Sequence, residues 1–275
     1  MCNIREYPNG TFLLKVPFDD IDTSVFFFKR ERTLWIVDCA TTTEDVEKYI
    51  LPFIKDRNLD SGRDIKLLLS HHHADHAGGA SALLRSCPAL EIYAAMPSRF
   101  PSLPVKPLYG GAILDGFLEV LHLGGHSADA CAFFDRQSQT LYTADTVQSA
   151  GVSRYGTGIG DSPSCYVDAH LTLWRTGATR LITSHDYAPL GREAHGRENV
   201  CLYLSTSLHI LRDLIEDILA SKEKSAPEIA RLLTEKRQGR TSSHPPIPTF
   251  TVEKILAEGA QTLLRKCDEA LEKLF

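Results

Sequence analysis

Leu69-Ser70-His71-His72-His73-Ala74-Asp75-His76-Ala77-Gly78-Gly79 concentrates three spaced histidines and a carboxylate, in the order H-x-H-x-D-H, within one short stretch. Neutral imidazole is the commonest protein ligand for transition metals, and a carboxylate adds a harder oxygen donor. A single loop offering both can serve two cations from opposite sides. The loop follows Ile65–Leu69, a short apolar run of the kind that forms a buried strand. A strand ending in such a cluster delivers several ligands from one place.

Three further segments end apolar, strand-like runs with a donor. Gly124-Gly125-His126-Ser127-Ala128-Asp129-Ala130 follows 117–123, Leu141-Tyr142-Thr143-Ala144-Asp145 ends with a lone carboxylate, and Leu181-Ile182-Thr183-Ser184-His185-Asp186 brings in a last imidazole. Each occurs often by chance. Four in this order, each behind an apolar run, form a far more specific signal.

This ordered set, spread over about residues 10–190, resembles the metallo-β-lactamase superfamily. The resemblance implies an α/β protein with the αββα sandwich of that family. It implies two divalent metal ions, one held by His71, His73 and His126 and the other by Asp75, His76 and His185, with Asp145 bridging them. Zinc is the expected metal. No cysteine stands among these ligands, so iron, manganese or nickel would also suit the set. The chemistry implied is attack by a metal-activated water on a carbonyl, with Asp75 or Asp145 passing a proton to the leaving group. Tyr155 and Tyr187 are candidate carbonyl-polarising residues. Similar quorum-quenching lactonases carry a Tyr three residues after the bridging Asp, where this chain has Gln148. The remaining histidines at 122, 170, 195, 209 and 244 read as core or surface residues.

Within the family, the second-site position held by Asp145 is Cys in one large group of secreted β-lactamases, and flavodiiron oxidoreductases carry Glu where His73 stands. The expected activity is therefore opening of a small cyclic ester or amide, a lactone or lactam. The alternative is thioester hydrolysis of the glyoxalase II type, which needs a cationic grip on glutathione. Lys236-Arg237 with Arg240 hints at one. An iron-dependent thiol or persulfide dioxygenase is a further alternative, disfavoured because one iron has no use for the second ligand set.

Composition bounds the rest. The chain has 275 residues, 43% hydrophobic and 24% charged, ordinary proportions for a globular protein. Its formal charge of -5 provides no footprint for nucleic acid, and no apolar run is long enough for a membrane helix. A small-molecule substrate is the expected partner, with no nucleic acid and no membrane. Met1–Tyr7 is charged early, and seven cysteines are scattered without close pairs, so a cytoplasmic protein with reduced thiols is expected.

These donors must be positioned by regular elements. Runs 11–16, 25–29 and 33–37 read as a meander of strands, followed by a helix over 42–54 opened by Thr42 and Asp45. Strand 65–69, a helix over 79–86 and strand 91–94 come next, and the Pro/Gly-rich 97–112 reads as loop. Residues 130–135 and 140–143 read as a hairpin, 149–163 as a Gly- and Ser-rich loop, 163–176 as a helix and 180–183 as a strand. A domain over 1–200 is expected, with a helical extension over 201–275 packed on it or on a second copy in a homodimer. The extension comprises helices near 204–218, from 225 and over 252–274, with a linker at 239–248.

Overall fold

Aromatic and β-branched runs punctuated by acidic turns build the first sheet. The computed structural model describes residues 4–238 and 244–274, so Cys2, Arg240 and the start of the expected linker lie outside the described residues. Strands β1 (Ile4–Tyr7), β2 (Thr11–Phe18), β3 (Ile21–Lys29) and β4 (Thr33–Val37) form an antiparallel meander. The β2–β3 hairpin turns at Asp19-Asp20, with Asp19 at φ 50, the left-handed backbone that a two-residue hairpin loop favours. Strands β5 (Asp64–Leu69), β6 (Glu91–Ala94) and β7 (Val105–Pro107) then add in parallel, giving the order β1-β2-β3-β4-β5-β6-β7.

Parallel pairing requires crossovers. The first is α1 (Thr43–Asp45), a wider turn over Val46–Ile50 and α2 (Leu51–Asp56). Thr42 and Asp45 cap it reciprocally, as their spacing predicts. The second is α3 (Ala74–Ala77) with α4 (Ala80–Ser86). Phe12, Phe27, Ile36 and Leu67 of the sheet bury against Val46, Ile50, Phe53 and Leu83 of the crossovers. The expected loop at 97–112 contains β7; its Pro107 is tolerated because β7 closes the sheet as an edge strand. A two-residue strand, β8 (Ile113–Leu114), follows.

The chain divides into two compact units at Leu114/Asp115. In the second, β9 (Leu118–His122), β10 (Cys131–Asp135) and β11 (Thr140–Tyr142) run antiparallel in sequence, and the expected hairpin is β10–β11. A small hairpin, β12 (Gly151–Val152) and β13 (Tyr155–Gly156), occupies the expected Gly-rich loop. After α5 (Pro163–Arg175), β14 (Arg180–Tyr187) pairs in parallel with β11, and β15 (Gly191–His195) closes the edge.

The C-terminal helices are α6 (Arg197–Leu219), α7 (Ala226–Gln238), α8 (Thr249–Glu258) and α9 (Ala260–Leu274). The helix expected over 252–274 is two helices, because Gly259 sits at φ 89 and no helix passes through that backbone. Residue 200 falls inside α6. Its first turns place Val200, Tyr203 and Leu204 against Leu141 and Leu181 of the sheet, and its later Leu208, Leu211, Ile215 and Ile218 pack with α5, α7, α8 and α9. No described helix is long and apolar enough to cross a membrane.

Candidate metal centre

Four of the expected ligands lie at the C-terminal end of β5, where parallel strands leave room for function. His71 is buried, His73 is the N-cap of α3, and Asp75 and His76 lie within that single helical turn. The turn is pulled tight onto the chain leaving β4: Cys39 N–H donates to His76 O at 2.7 Å and Gly79 N–H to Ala40 O at 3.2 Å. A Cβ on Gly78 would stand 1.9 Å from Thr41 O, and one on Gly79 2.1 Å from Cys39 O. Only glycine permits this approach, which explains the Gly-Gly that ends the motif.

Asp38, which the sequence reasoning missed, organises this cluster. It is 1% exposed and holds a left-handed φ of 64. Its Oδ1 accepts Ser70 N–H at 2.8 Å; its Oδ2 accepts the Ser70 hydroxyl at 2.8 Å and faces His76 Nδ1 at 2.7 Å. A carboxylate only accepts, so His76 carries its proton on Nδ1 and presents a lone pair at Nε2. The Ser70 proton is committed to Asp38, so Ser70 Oγ accepts from His71 Nδ1 at 3.0 Å, and His71 likewise presents Nε2. Such partners fix the tautomer of a metal-binding histidine. The signal for Asp38 was an acidic residue ending the buried run Thr33–Val37, a costly placement for an unpaired charge.

The lone pairs so presented on the buried His71 and His76 face other candidate ligand atoms. His71 Nε2 lies 3.1 Å from His73 Nδ1, and His76 Nε2 lies 3.2 Å from Asp75 Oδ2. Two ligand atoms of a tetrahedral zinc, each ~2.0–2.1 Å from the ion, stand ~3.3 Å apart. His76 Nε2, with its proton on Nδ1, and the Asp75 carboxylate oxygen are both electron-rich, and that separation calls for a cation between them, so this donor set fits a metal.

The second unit holds His126, Asp145 and His185, all buried. His126 sits between β9 and β10, behind Gly125 at φ 86; a Cβ on that glycine would meet the Tyr166 backbone of α5 at 2.7 Å. His126 Nδ1 donates to Gly158 O at 2.6 Å, leaving the lone pair on Nε2. Asp145 follows β11 after Ala144 at φ 45. Its Oδ2 lies 3.6 Å from His126 Nε2 and its Oδ1 3.6 Å from His185 Nε2, one oxygen for each imidazole. Ser184 hydrogen-bonds Oδ1, and Gln148 Nε2 donates to Oδ2 at 3.4 Å.

His185 reaches this position through a bulge: the β14–β15 register shifts between Ile182 and Tyr187. Bulges re-aim side chains beside functional sites. The lost ladder bonds are replaced by Thr183 Oγ1 to His185 O at 2.6 Å and by the buried Arg192 to Ser184 O at 2.9 Å.

Gln148, noted in the sequence only as a departure from Tyr, is a buried brace. Its Oε1 accepts Gly158 N–H at 2.6 Å, which aims the amide nitrogen at Asp145 Oδ2; His126 Nδ1, whose proton goes to Gly158 O, lies 2.9 Å from that nitrogen without accepting from it. Its backbone N–H donates to Tyr166 Oη at 2.9 Å. Burial pushes the Tyr166 phenol up to about 12, so it stays neutral.

Tyr187 is 2% exposed and stands edge-on to His185, ring centroids 5.6 Å apart. Tyr155 lies on β13, 38% exposed, with the Arg154 guanidinium 5.9 Å from its ring. Lys236 of the expected cationic cluster is ion-paired with Asp217 at 2.6 Å.

Comparison with known proteins adds a family and a fold. The model of the metallo-beta-lactamase superfamily matches residues 19–185. Hydroxyacylglutathione hydrolase of Legionella pneumophila (strain Lens) is 31% identical over 125 residues, 45% of this chain and 47% of that protein. The enzyme of the same name from Aeromonas hydrophila is 28% identical over 179 residues, 60% of this chain and 62% of that protein. The chain thus spans about half to two thirds of the length of these relatives. Among solved structures, a metallo-beta-lactamase family protein from Thermus thermophilus superposes with a TM-score of 0.67 at 18% identity, covering 92% of each chain. A metallo-beta-lactamase from Pontibacter korlensis gives 0.60 at 16% identity, covering 75% of this chain and 99% of that one. At these identities the likeness shows the fold, α/β with the C-terminal helices present.

Proposed function

The chain belongs to the metallo-beta-lactamase superfamily, and on that premise we propose that it is a dinuclear metallohydrolase of acyl thioesters. The single observation that carries the metal reading is the set of imidazole lone pairs, fixed by Asp38, Ser70 and Gly158, that face carboxylate or imidazole atoms. In this reading His71, His73 and His126 hold one ion, Asp75, His76 and His185 the other, and Asp145 serves both. All seven fall within the matched span. Zinc suits the nitrogen and oxygen donors best, and iron or manganese would fit the same set.

When bound, the two ions supply Lewis acidity at the acyl carbonyl and an activated water. The residues do the rest. Asp145, held by Ser184 and Gln148, keeps one oxygen toward each of His126 and His185. Asp75 and Asp145 are the groups that move a proton toward the departing sulfur. Tyr187 holds the His185 ring edge-on. Arg154 and Tyr155 form an exposed cationic and aromatic pair on the hairpin that follows Gln148, suited to an anionic thiol carrier.

The thioester class is favoured by the relatives named hydroxyacylglutathione hydrolase. A lactone or lactam is the second reading. In it Tyr187, buried beside His185, is the candidate carbonyl-polarising residue. In this assignment residues 1–200 form the catalytic domain and 201–275 its helical extension, in a cytoplasmic protein that acts on a small molecule without nucleic acid or membrane, alone or as a homodimer.

The test is a hydrolysis panel of glutathione thioesters, lactones, lactams and β-lactams on protein analysed for metal. Two zinc ions per chain with turnover of thioesters first supports the proposal. Turnover confined to cyclic substrates moves the assignment to the second reading. One iron per chain with oxygen consumption and no hydrolysis overturns both.

A further inference from the structure

The bonds that fix His126 lead away from the strand ends and into the C-terminal helices. Gly158 takes the His126 Nδ1 proton on its carbonyl and gives its own N–H to Gln148 Oε1, each at 2.6 Å. The peptide groups on either side of Gly158 are both held by one hydroxyl. Thr251 Oγ1 donates to Thr157 O at 2.8 Å and accepts from Ile159 N–H at 3.0 Å. Thr251 lies in the first turn of α8, fully buried.

The same loop is pinned at further points. Thr157 Oγ1 donates to Ser149 O at 2.5 Å, and Gly160 N–H donates to His126 O at 3.0 Å. Ahead of α8, Pro246 O lies where a Cβ on Gly156 would be 1.8 Å away, so the linker rests flush against the loop. One hydroxyl offers one proton and two lone pairs. Here it brackets the peptide plane that decides which way the Gly158 carbonyl points.

The geometry points to Thr251 as a positioning residue for His126: its hydroxyl holds the 157–159 backbone so that the Gly158 carbonyl fixes the Nδ1–H tautomer and the ring orientation. This rests on the reading of His126 as a metal ligand, and it makes the first turn of α8 part of the metal-binding machinery. An outer partner of this kind is worth about 10–100-fold in metal affinity.

The test uses Thr251→Val, which keeps the shape and removes both bonds, with Thr251→Ser as the conservative rescue. Competition of zinc-loaded protein against a chromophoric chelator should show about 10-fold weaker binding of one of two ions in T251V and near wild-type binding in T251S. The imidazole ¹H–¹⁵N spectrum of the metal-free protein supplies a second readout: the His126 Nδ1 proton signal should broaden or vanish in T251V. Should T251V fail to fold, Thr251→Cys, whose thiol is a weak donor and acceptor, should give an intermediate loss by both measures. Wild-type zinc affinity with an unchanged His126 signal in T251V or T251C overturns the inference. If the wild-type protein takes up no zinc, the metal reading falls, and the imidazole spectrum alone decides whether Thr251 sets His126.

Discussion

The loop after β5 gathers four candidate ligands within six residues, whereas the second unit draws its three from positions 126, 145 and 185. In the first unit a single buried carboxylate, Asp38, orders the loop through Ser70 and His76. In the second, each donor has its own support: Gly158 for His126, Ser184 and Gln148 for Asp145, and a β-bulge for His185. Local ligands need one organiser. Dispersed ligands need a network, and here the network extends to the helices at the C-terminus.

The sharpest way to break this comparison is at Asp145, the residue whose two oxygens each face a different imidazole. Asp145→Asn keeps the shape and removes the charge. Turnover should fall by about 10²–10⁴-fold, the range for losing a group that handles a proton in the transition state. Metal analysis should show one ion retained and one lost. Full occupancy with unaltered turnover would remove Asp145 from the proposed bridging role.

The next largest effect is expected at the single organiser of the first unit. Asp38→Asn replaces one accepting oxygen with an amide that cannot take both the Ser70 hydroxyl and the His76 Nδ1–H. Zinc binding should weaken about 10–100-fold, read by chelator competition. The His76 tautomer should shift in the imidazole spectrum while that of His126 stays fixed. If both histidines respond alike, the two units do not order their donors independently.

Gln148→Met probes the distributed network in the same way, with a smaller expected loss. Asp145 keeps Ser184 and His126 keeps Gly158, so turnover should drop only about 10-fold, near the lower end for an outer partner. The buried Gly158 N–H loses its acceptor, at about 1–3 kcal/mol of stability. A loss as large as that of Asp38→Asn would mean that the second unit also hangs on one residue.

The same contrast explains what was legible in the sequence. The ligand loop was readable because its donors, its strand and its closing glycines are contiguous. The capping box at Thr42 and the β10–β11 hairpin were readable for the same reason, being local patterns. Asp38, Gln148 and Thr251 were not, since each acts through partners that no local pattern reaches: Asp38 on His76, Gln148 on Gly158, Thr251 on the loop at 157–159. The bulge at 183–186 was hidden as well, because the run leading to His185 reads as regular strand, and register against β15 is a tertiary property. The break at Gly259 was visible as a residue but not as a positive φ, which only the packing of α8 and α9 imposes.

The smallest effect on turnover, and the most specific on stability, belongs to His170, deep in the second unit's network. Its Nδ1 faces Tyr166 O at 2.8 Å and its Nε2 faces Ser207 Oγ at 3.1 Å, one step from the phenol that holds Gln148. Burial lowers its pKa from the ordinary 6.5 to about 4, against a smaller opposing effect of the Tyr166 carbonyl. Unfolded, the imidazole takes up a proton near 6.5; folded, it stays neutral until about 4. Between those values the unfolded chain binds more protons, so stability falls as the pH drops through the window and is intact above it. The full effect is about 3 kcal/mol, or roughly 6–12 °C of melting temperature for a chain of this size. The quantity to measure is the difference between wild type and His170→Gln. Thermal melts from pH 7 to pH 4 should show the wild type losing more than the variant, with turnover at pH 7 little changed in either. Parallel pH profiles would place the acid sensitivity elsewhere.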